Sequence, residues 1–290
     1  MGYQKGVKMT YRLYVNFFAG VIDILFKFIE LLPRGRRIST ASLEKIWSRR
    51  HKVATRNGDL YIATPDWLSK YRAETLLTKE PETIAFLDSI APGSIFWDVG
   101  ANIGIYSIYA SLKKNISVFC FEPSMMNLEL LFRNIQLNGV SEIVRIVPVA
   151  LSNTSTIDTL YMSANNLHWA GAHNSFGNNV LQDGSKMTTS ITSKQLALSA
   201  SDLIEKFGVP IPRYIKIDVD GLESLVLKGF FGYIASTEWI LVEVDGENFP
   251  QISEVSVILK SFGFKKIDSA FGHVYTENQL WYNTNLGASL

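Results

Sequence analysis

The sequence predicts an α/β protein: a mostly parallel sheet covered on both faces, preceded by a helical N-terminal extension. Three observations lead there. Through the middle of the 290-residue chain, short apolar runs alternate with amphipathic stretches, which is how strands buried on both faces and their crossover helices read. The last strand-like runs, Lys265–Asp268, Val274–Thr276 and Gln279–Asn283, follow one another with no long helix between them. Adjacent terminal strands make a hairpin and put an antiparallel member into the sheet. Charge is also divided unevenly. The whole chain carries +1, but residues 1–50 carry +7 and the remainder −6.

Apolar residues make up 47% of the chain and charged residues 19%, ordinary globular usage that excludes a disordered or collagenous protein. With Lys plus Arg at 28 and Asp plus Glu at 27, there is no overall electrostatic case for binding nucleic acid. Cys120 is the single cysteine, so no intrachain disulfide or cysteine-based zinc site forms. A reduced, cytoplasmic compartment fits this usage, and Cys120 reads as a buried apolar filler.

From Tyr11 to Leu32 the polar residues Arg12, Asn16, Asp23, Lys27 and Glu30, with Gly20 in the series, fall on one narrow stripe of a helix. Four charges argue against a transmembrane span. Asp23 and Lys27 interrupt any signal-peptide core, and no small-residue cleavage site follows. Two uses stay open: a helix packed on the domain or a dimer partner, or a peripheral membrane contact through residues 11–37, helped by Arg34, Arg36 and Arg37. The expected division is an amphipathic helix and basic linker over 1–50, then one domain over 51–290.

Within 53–63, Asn57-Gly58 between two strand-like runs signals a hairpin with a type I′ turn. Helices are expected near 66–78 and, opened by Glu80-Pro81-Glu82, to about Ile90. Strands follow at Ser94–Val99, Ser117–Phe121, Ile143–Ala150, Tyr214–Val219 and Trp239–Val244. Helical patterns lie between them at about 103–113, 125–137, 222–229 and 251–262. Residues 162–190, rich in Asn, Ser, Thr and Gly with weak periodicity, read as a long functional loop.

Ligands of open parallel sheets bind at the carboxyl ends of the strands, and the first strand ends Asp98-Val99-Gly100-Ala101-Asn102-Ile103-Gly104. Gly100 and Gly104 permit unusual backbone angles and close approach. The run does not match G-x-G-x-x-G, and Asp98 before the turn repels a pyrophosphate while suiting a sulfonium or ammonium group. The second strand ends Phe121-Glu122-Pro123, where a carboxylate accepts both hydroxyls of a ribose. A nucleoside bearing positive charge satisfies both, and S-adenosyl-L-methionine is such a molecule. Asn102 either lines that site or caps the following helix.

The blocks Asp98–Gly104, Phe121-Glu122-Pro123 and Lys216-Ile217-Asp218-Val219-Asp220-Gly221-Leu222-Glu223, in this order and spacing, resemble the FkbM family of S-adenosylmethionine-dependent methyltransferases over roughly residues 72–246. The resemblance implies a three-layer, Rossmann-like class I methyltransferase fold with a seven-stranded sheet whose last strand is antiparallel. It implies methyl transfer to a hydroxyl, often of a sugar or polyketide-like molecule. It also implies a cofactor loop containing Ala101 and Asn102, with Glu122 and Pro123 beside it. Residues 1–50 lie outside it.

Methyl transfer to oxygen needs the acceptor held in line, water excluded and a proton removed. Asp218, Asp220 and Glu223 cluster at the end of the fourth strand. Asp220 and Glu223 have capping-box spacing, so Asp218 is the first choice for acceptor binding or general base, with Glu223 kept as a candidate. His173, in the 162–190 segment with His168, is a further candidate because imidazole titrates near neutrality. Asp218 with Glu243 or Asp245 also has the chemistry to hold Mg²⁺, an alternative that no motif demands. Two rival functions stand beside this reading: a nicotinamide-dependent sugar dehydrogenase or epimerase, opposed by the missing glycine fingerprint and Tyr-x-x-x-Lys pair, and a non-catalytic membrane-attached scaffold, opposed by the intact motif residues.

Overall fold

A computed structural model describes residues 2–113, 115–163, 169–172, 174–177, 179, 186–187, 190–244 and 249–287, with 2–13, 163, 190 and 249 as backbone alone. The chain divides into two compact units, Met1–Arg49 and Arg50–Leu290. In the first, α1 (Gly2–Glu30) and α2 (Gly35–Trp47) form a helical hairpin. Arg34 turns the chain at φ 65°, and Ser39 Oγ donates to Glu30 Oε1 at 3.0 Å. The expected basic linker is therefore helical, since good helix formers such as Ala41, Leu43, Glu44 and Lys45 follow the turn. On α1, Asp23 and Lys27 pair at 2.7 Å, and Tyr14, Phe17, Phe18, Ile22, Leu25 and Phe28 are exposed. Among the described residues no helix is long and apolar enough to cross a membrane.

The second unit opens with a hairpin, β1 (Arg50–Thr55) and β2 (Gly58–Ala63). Its closing pair is Thr55 with Gly58. Arg56 and Asn57 therefore occupy the turn without positive φ, and Gly58 takes φ 132° as the first strand residue. The hairpin is where the sequence placed it, but the turn is not type I′. Helices α3 (Trp67–Thr75) and α4 (Pro81–Ser89) follow, the first closed by an Asp66/Ser69 capping box.

Then come β3 (Ile95–Val99), α5 (Ile105–Ser111), β4 (Ser117–Phe121), α6 (Met125–Asn138) and β5 (Val144–Val147). A second group comprises β6 (Ala150–Leu151), β7 (Thr156–Ser163), β8 (Ser175–Phe176), β9 (Ser190–Leu198) and α7 (Ala200–Phe207). The chain continues through β10 (Tyr214–Ile217), α8 (Glu223–Gly229), β11 (Trp239–Glu243), α9 (Phe249–Ser261) and β12 (Phe264–Ile267). It ends with β13 (Ser269–Ala270), β14 (His273–Val274) and β15 (Asn278–Asn283).

The main sheet has seven strands in the order β12-β15-β11-β10-β3-β4-β5, and β15 runs antiparallel to both its neighbours. Period-two alternation buries both faces. Phe96, Cys120, Tyr214 and Leu241 point toward α4, α5 and α6 with Phe86, Ile108 and Leu131. Trp97, Phe121, Ile217 and Val242 point toward α7, α8 and α9 with Leu203, Leu227 and Leu259. This is the three-layer Rossmann-like arrangement with an antiparallel terminal strand.

Three expectations need correction. Ile143–Ala150 is not one strand. Pro148 lacks an N–H for the ladder, so pairing in the main sheet stops at Val147 and Ala150–Leu151 join a second sheet of order β6-β9-β7-β8. That second sheet occupies part of the segment read as a loop, since β7 and β9 pair antiparallel from Thr156 with Ala197 to Ser163 with Ser190. Finally, Val274 belongs to a two-residue ribbon with β13 rather than to the main sheet.

Candidate active site

The order β11-β10-β3-β4 places the chain's topological switch between β10 and β3, and the crevice of such a sheet opens there. After Val99 the backbone leaves the sheet through Gly100 (φ 82°), Asn102 (φ 53°) and Gly104 (φ 78°). The Gly100 and Ala101 amides donate to Phe121 O at 2.9 and 3.0 Å, and the Asp218 amide donates to Val99 O at 3.0 Å. The first two tie the loop to the end of β4, and the third ties the end of β10 to the end of β3. A Cβ on Gly100 would overlap the Asp218 carbonyl, lying 2.8 Å from its carbon, so both the conformation and the contact demand glycine.

Glu122, at the end of β4, is buried. Its Oε2 accepts from the Asn102 amide at 2.9 Å and its Oε1 from the Ser124 amide at 2.8 Å. Burial pushes its carboxyl up to about 7 against the pull of those amides. The Asn127 side chain also hydrogen-bonds the carboxylate, and its two oxygens, with about four acceptor sites between them, keep capacity beyond these bonds. Asn102 Nδ2 and Asn127 Nδ2 both donate to Gly171 O, at 2.8 and 3.2 Å, and tie the segment carrying Gly171 to the loop.

Two strands away, β10 ends at a buried charge cluster. Lys216, itself buried, donates from Nζ to Asp218 Oδ2 at 2.7 Å and lies 5.1 Å from the centre of the Tyr106 ring. Tyr106 donates to Glu80 Oε2 at 2.8 Å. Burial acts to raise the Asp218 carboxyl, but the Lys216 ammonium overrides it and holds Asp218 below its ordinary value. The Asp218 charge, then burial, push the neighbouring Glu243 up to about 9. At neutral pH Glu243 therefore keeps its proton and hydrogen-bonds Asp218, which stays ionised.

A cavity of about 280 Å³ joins the two ends. Of the residues singled out in the sequence, Gly100, Asn102, Glu122, Pro123, Asp218, Asp220 and Glu243 line it. Asp98 does not: it is buried inside β3, accepts from Ser107 Oγ, and burial raises its carboxyl above the ordinary value despite Lys216. Ala101 and Gly104 shape the loop from behind, Gly104 as the N-cap of α5. Asn102 is therefore not the cap of that helix.

Glu223 does not line the cavity either. The expected Asp220/Glu223 capping box is absent, because Asp220 (φ 53°) and Gly221 (φ 105°) turn the chain first and Leu222 becomes the N-cap. Glu223 Oε1 instead accepts from the Val219 and Gly221 amides at 3.2 and 3.1 Å, its Oε2 accepts from Gln251, and burial raises its carboxyl to about 7. It holds the Asp218–Asp220 turn in place from below.

His173, His168 and Asp245 lie outside the described residues. Asp218 and Glu243, the other part of the Mg²⁺ alternative, are brought together at the cavity wall, with Lys216 Nζ 2.7 Å from Asp218 Oδ2. Among the described residues no group of three or more His, Cys, Asp or Glu is placed to hold a metal. The structure adds lining residues that the sequence reading missed: Leu68, Tyr71, Arg72 and Lys79 from α3 and the turn after it, Asn127 from α6, and Leu160, Ser175 and Phe176 from the second sheet.

This arrangement fits a sulfonium nucleoside. A ribose would meet the Glu122 carboxylate, the Gly100 backbone leaves room for close approach without a side chain, and Asn127 Oδ1 is a buried acceptor with no partner among the described residues. The FkbM methyltransferase domain model matches residues 98–266. Hexuronic acid methyltransferase AglP of Haloferax volcanii is 27% identical over 158 residues, covering 54% of this chain and 59% of that protein. The match thus spans about three-fifths of that relative's length.

Among solved structures, precorrin-6Y C5,15-methyltransferase of Geobacter metallireducens is 13% identical, covering 72% of this chain and 89% of its own at a TM-score of 0.40. A Streptococcus pneumoniae protein described as a candidate tRNA methyltransferase, solved with S-adenosyl-L-methionine, is 14% identical over 71% of this chain and 72% of its own at a TM-score of 0.43. With the family model covering more than half of the chain, this protein belongs to the FkbM family of methyltransferases, and its cofactor is S-adenosyl-L-methionine.

Proposed function

We propose that the chain transfers a methyl group from S-adenosylmethionine to a hydroxyl of a carbohydrate. Asp218 carries this reading: an ionised, lysine-held carboxylate at the strand end beside the cofactor loop, lining the same cavity as Glu122. The bound cofactor supplies an electrophilic methyl group on a sulfonium. Glu122 binds the ribose hydroxyls, and the Gly100–Asn102 backbone sets the depth at which the nucleoside lies. Asp218 accepts the acceptor's hydroxyl proton as the oxygen–carbon bond forms, and Lys216 holds its carboxylate in place while that proton arrives. Tyr71, Leu68 and Phe176 supply apolar cover that excludes water. The hexuronic acid activity of the Haloferax relative supports a sugar acceptor, and family membership displaces the nicotinamide-dependent reading.

The test is incubation of the full chain with isotopically methyl-labelled S-adenosylmethionine and a panel of neutral and acidic glycosides. Labelled O-methyl product, located by NMR, is expected. Labelled methyl on nitrogen or carbon, or transfer to none of the panel beside clear S-adenosylhomocysteine binding, overturns the reading.

We also propose that the N-terminal unit rests on an anionic membrane surface. Exposed Phe17, Phe18, Leu25 and Phe28 on α1, together with the +7 charge of residues 1–50, support an interfacial helix.

A further inference from the structure

The direction in which the Lys216 ammonium points needs a cause. Lys216 is buried on β10 and shares the strand face of Tyr214, which packs toward α4 and α5. Several carboxyls face it there. Asp98 is its register partner on β3, Asp218 follows two residues on, Glu80 is buried at the start of α4, and Glu243 ends β11. Of these only Asp218 takes its hydrogen bond, at 2.7 Å, and among the described residues Lys216 forms no other ion pair. A desolvated ammonium pairs with whichever carboxylate it reaches, since the pair offsets the cost of burial. Something therefore keeps it on the one carboxylate that lines the cavity.

Tyr106, in the first turn of α5, touches both the ammonium and its nearest competitor. Its ring centre lies 5.1 Å from Lys216 Nζ, within cation–π range, and its hydroxyl donates to Glu80 Oε2 at 2.8 Å. Thr83 Oγ1 adds a second donor to that oxygen at 3.3 Å, and Lys79 Nζ holds Oε1 at 2.5 Å. Asp98 Oδ2 accepts from Ser107, the next residue of α5. Arg72, whose charge also reaches Asp218, donates its Nε to Ala170 O instead. We propose that Tyr106 is a positioning residue for methyl transfer, satisfying Glu80 and covering Lys216 so that the ammonium stays turned to Asp218 at the cavity wall. Its value to catalysis rests on Asp218 being the proton acceptor; the placement of Lys216 does not. A phenol suits the task because it offers a π face to the cation and a donor to the anion. Burial, then the Glu80 charge, push its hydroxyl well above the ordinary value, so it remains a neutral donor. Phe keeps the face without the donor, and Leu keeps neither.

The test is carbon-13 NMR of the full chain labelled at aspartate Cγ and titrated with pH. The parent is compared with Tyr106→Phe, Tyr106→Leu and the double variant Tyr106→Leu/Glu80→Gln, and the Asp218 resonance is assigned by its loss in Asp218→Asn. In the parent, Lys216 holds Asp218 below its ordinary value. In Tyr106→Leu the ammonium should turn toward Glu80, and the Asp218 midpoint should rise by about one pH unit or more, the scale of losing an adjacent opposite charge. Tyr106→Phe should give a smaller rise, because the ring still covers the ammonium. Glu80→Gln on the Leu background removes the competing charge and should return the midpoint to that of the parent. A single cooperative melt shows that each variant is folded; if Tyr106→Leu does not fold, Tyr106→Phe with and without Glu80→Gln decides. An unmoved Asp218 midpoint in folded variants overturns the inference. A rise that Glu80→Gln does not reverse gives Tyr106 a packing role only and also overturns it. Whether a methyl group reaches a sugar hydroxyl is decided by the labelled-cofactor incubation, so the two readings fail separately.

Discussion

If Glu122 binds the ribose as proposed, it should link cofactor affinity to pH with a sign opposite to its effect on stability. Burial sets its carboxyl at about 7 in the folded chain, and ribose hydroxyls are accepted best by the ionised form. With a midpoint near 7, roughly one molecule in eleven is ionised at pH 6 and roughly ten in eleven at pH 8. Affinity for S-adenosylhomocysteine should therefore rise about tenfold across that interval. The unliganded fold behaves conversely. A carboxyl raised above its unfolded value of 4.5 lets the native state bind more protons, so stability falls as pH rises from about 4.5 through about 7. Glu223, also raised to about 7, contributes in the same direction but does not line the cavity.

Glu122→Gln separates the two. Its amide NH₂ must face either the Asn102 or the Ser124 amide, donor against donor, and the ribose loses a charged acceptor, a loss of about 1.5–3 kcal/mol. Calorimetric titration at pH 6, 7 and 8 should give weaker binding by about tenfold or more at pH 8, with the pH slope gone. A flat affinity profile in the unmodified chain, or the same slope in Glu122→Gln, would refute the reasoning.

Gly100→Ala should be destabilising, because a left-handed Cβ costs about 1–2 kcal/mol and its overlap with the Asp218 carbonyl adds about 1–3 kcal/mol. A melting midpoint lower by at least about 5 °C is expected in calorimetry, and a midpoint within experimental error of the parent would contradict the tight contact. Asp218→Asn should lower turnover by about 10²–10⁴-fold while S-adenosylhomocysteine affinity stays within threefold, roughly; undiminished turnover removes Asp218 from the proton transfer. For the N-terminal unit, the full chain should co-sediment with anionic liposomes more than with neutral ones, and weaken without vanishing as salt rises. A chain starting at Ile38 should stay in the supernatant. If both remain there, α1 serves an internal or dimer contact instead.

Strand positions and the chemistry at their ends were legible in the sequence because both are local. Alternating apolar runs mark strands wherever both faces are buried, and Asp98–Gly104, Glu122 and Asp218 sit at strand ends whatever the strand order. The terminal hairpin was legible for the same reason, since no helix intervenes before Asn278–Asn283. The second sheet was not. Thr156–Ser163 and Ser190–Leu198 do not alternate polar with apolar residues regularly, their pairing spans a long separation in sequence, and the Asn- and Ser-rich stretch between them hid it.

The roles of individual carboxyls depended on the tertiary structure. Sequence spacing made Glu223 a helix cap and Asp98 a cofactor contact, yet positive φ at Asp220 and Gly221 moved the helix start, and β3 buried Asp98 beneath its own loop. Burial and neighbouring charge decide which carboxyl is ionised, and neither is a property of a residue's neighbours in sequence. Arg72 is the clearest case: nothing around Tyr71-Arg72 marks it, and it reaches the cavity only because α3 packs beside the Ala170 segment, 98 residues away in the chain. The sequence by itself determined which strands end in chemistry. Only the packed fold decided which side chains meet around the cavity, because that depends on distances between groups that the chain brings together last.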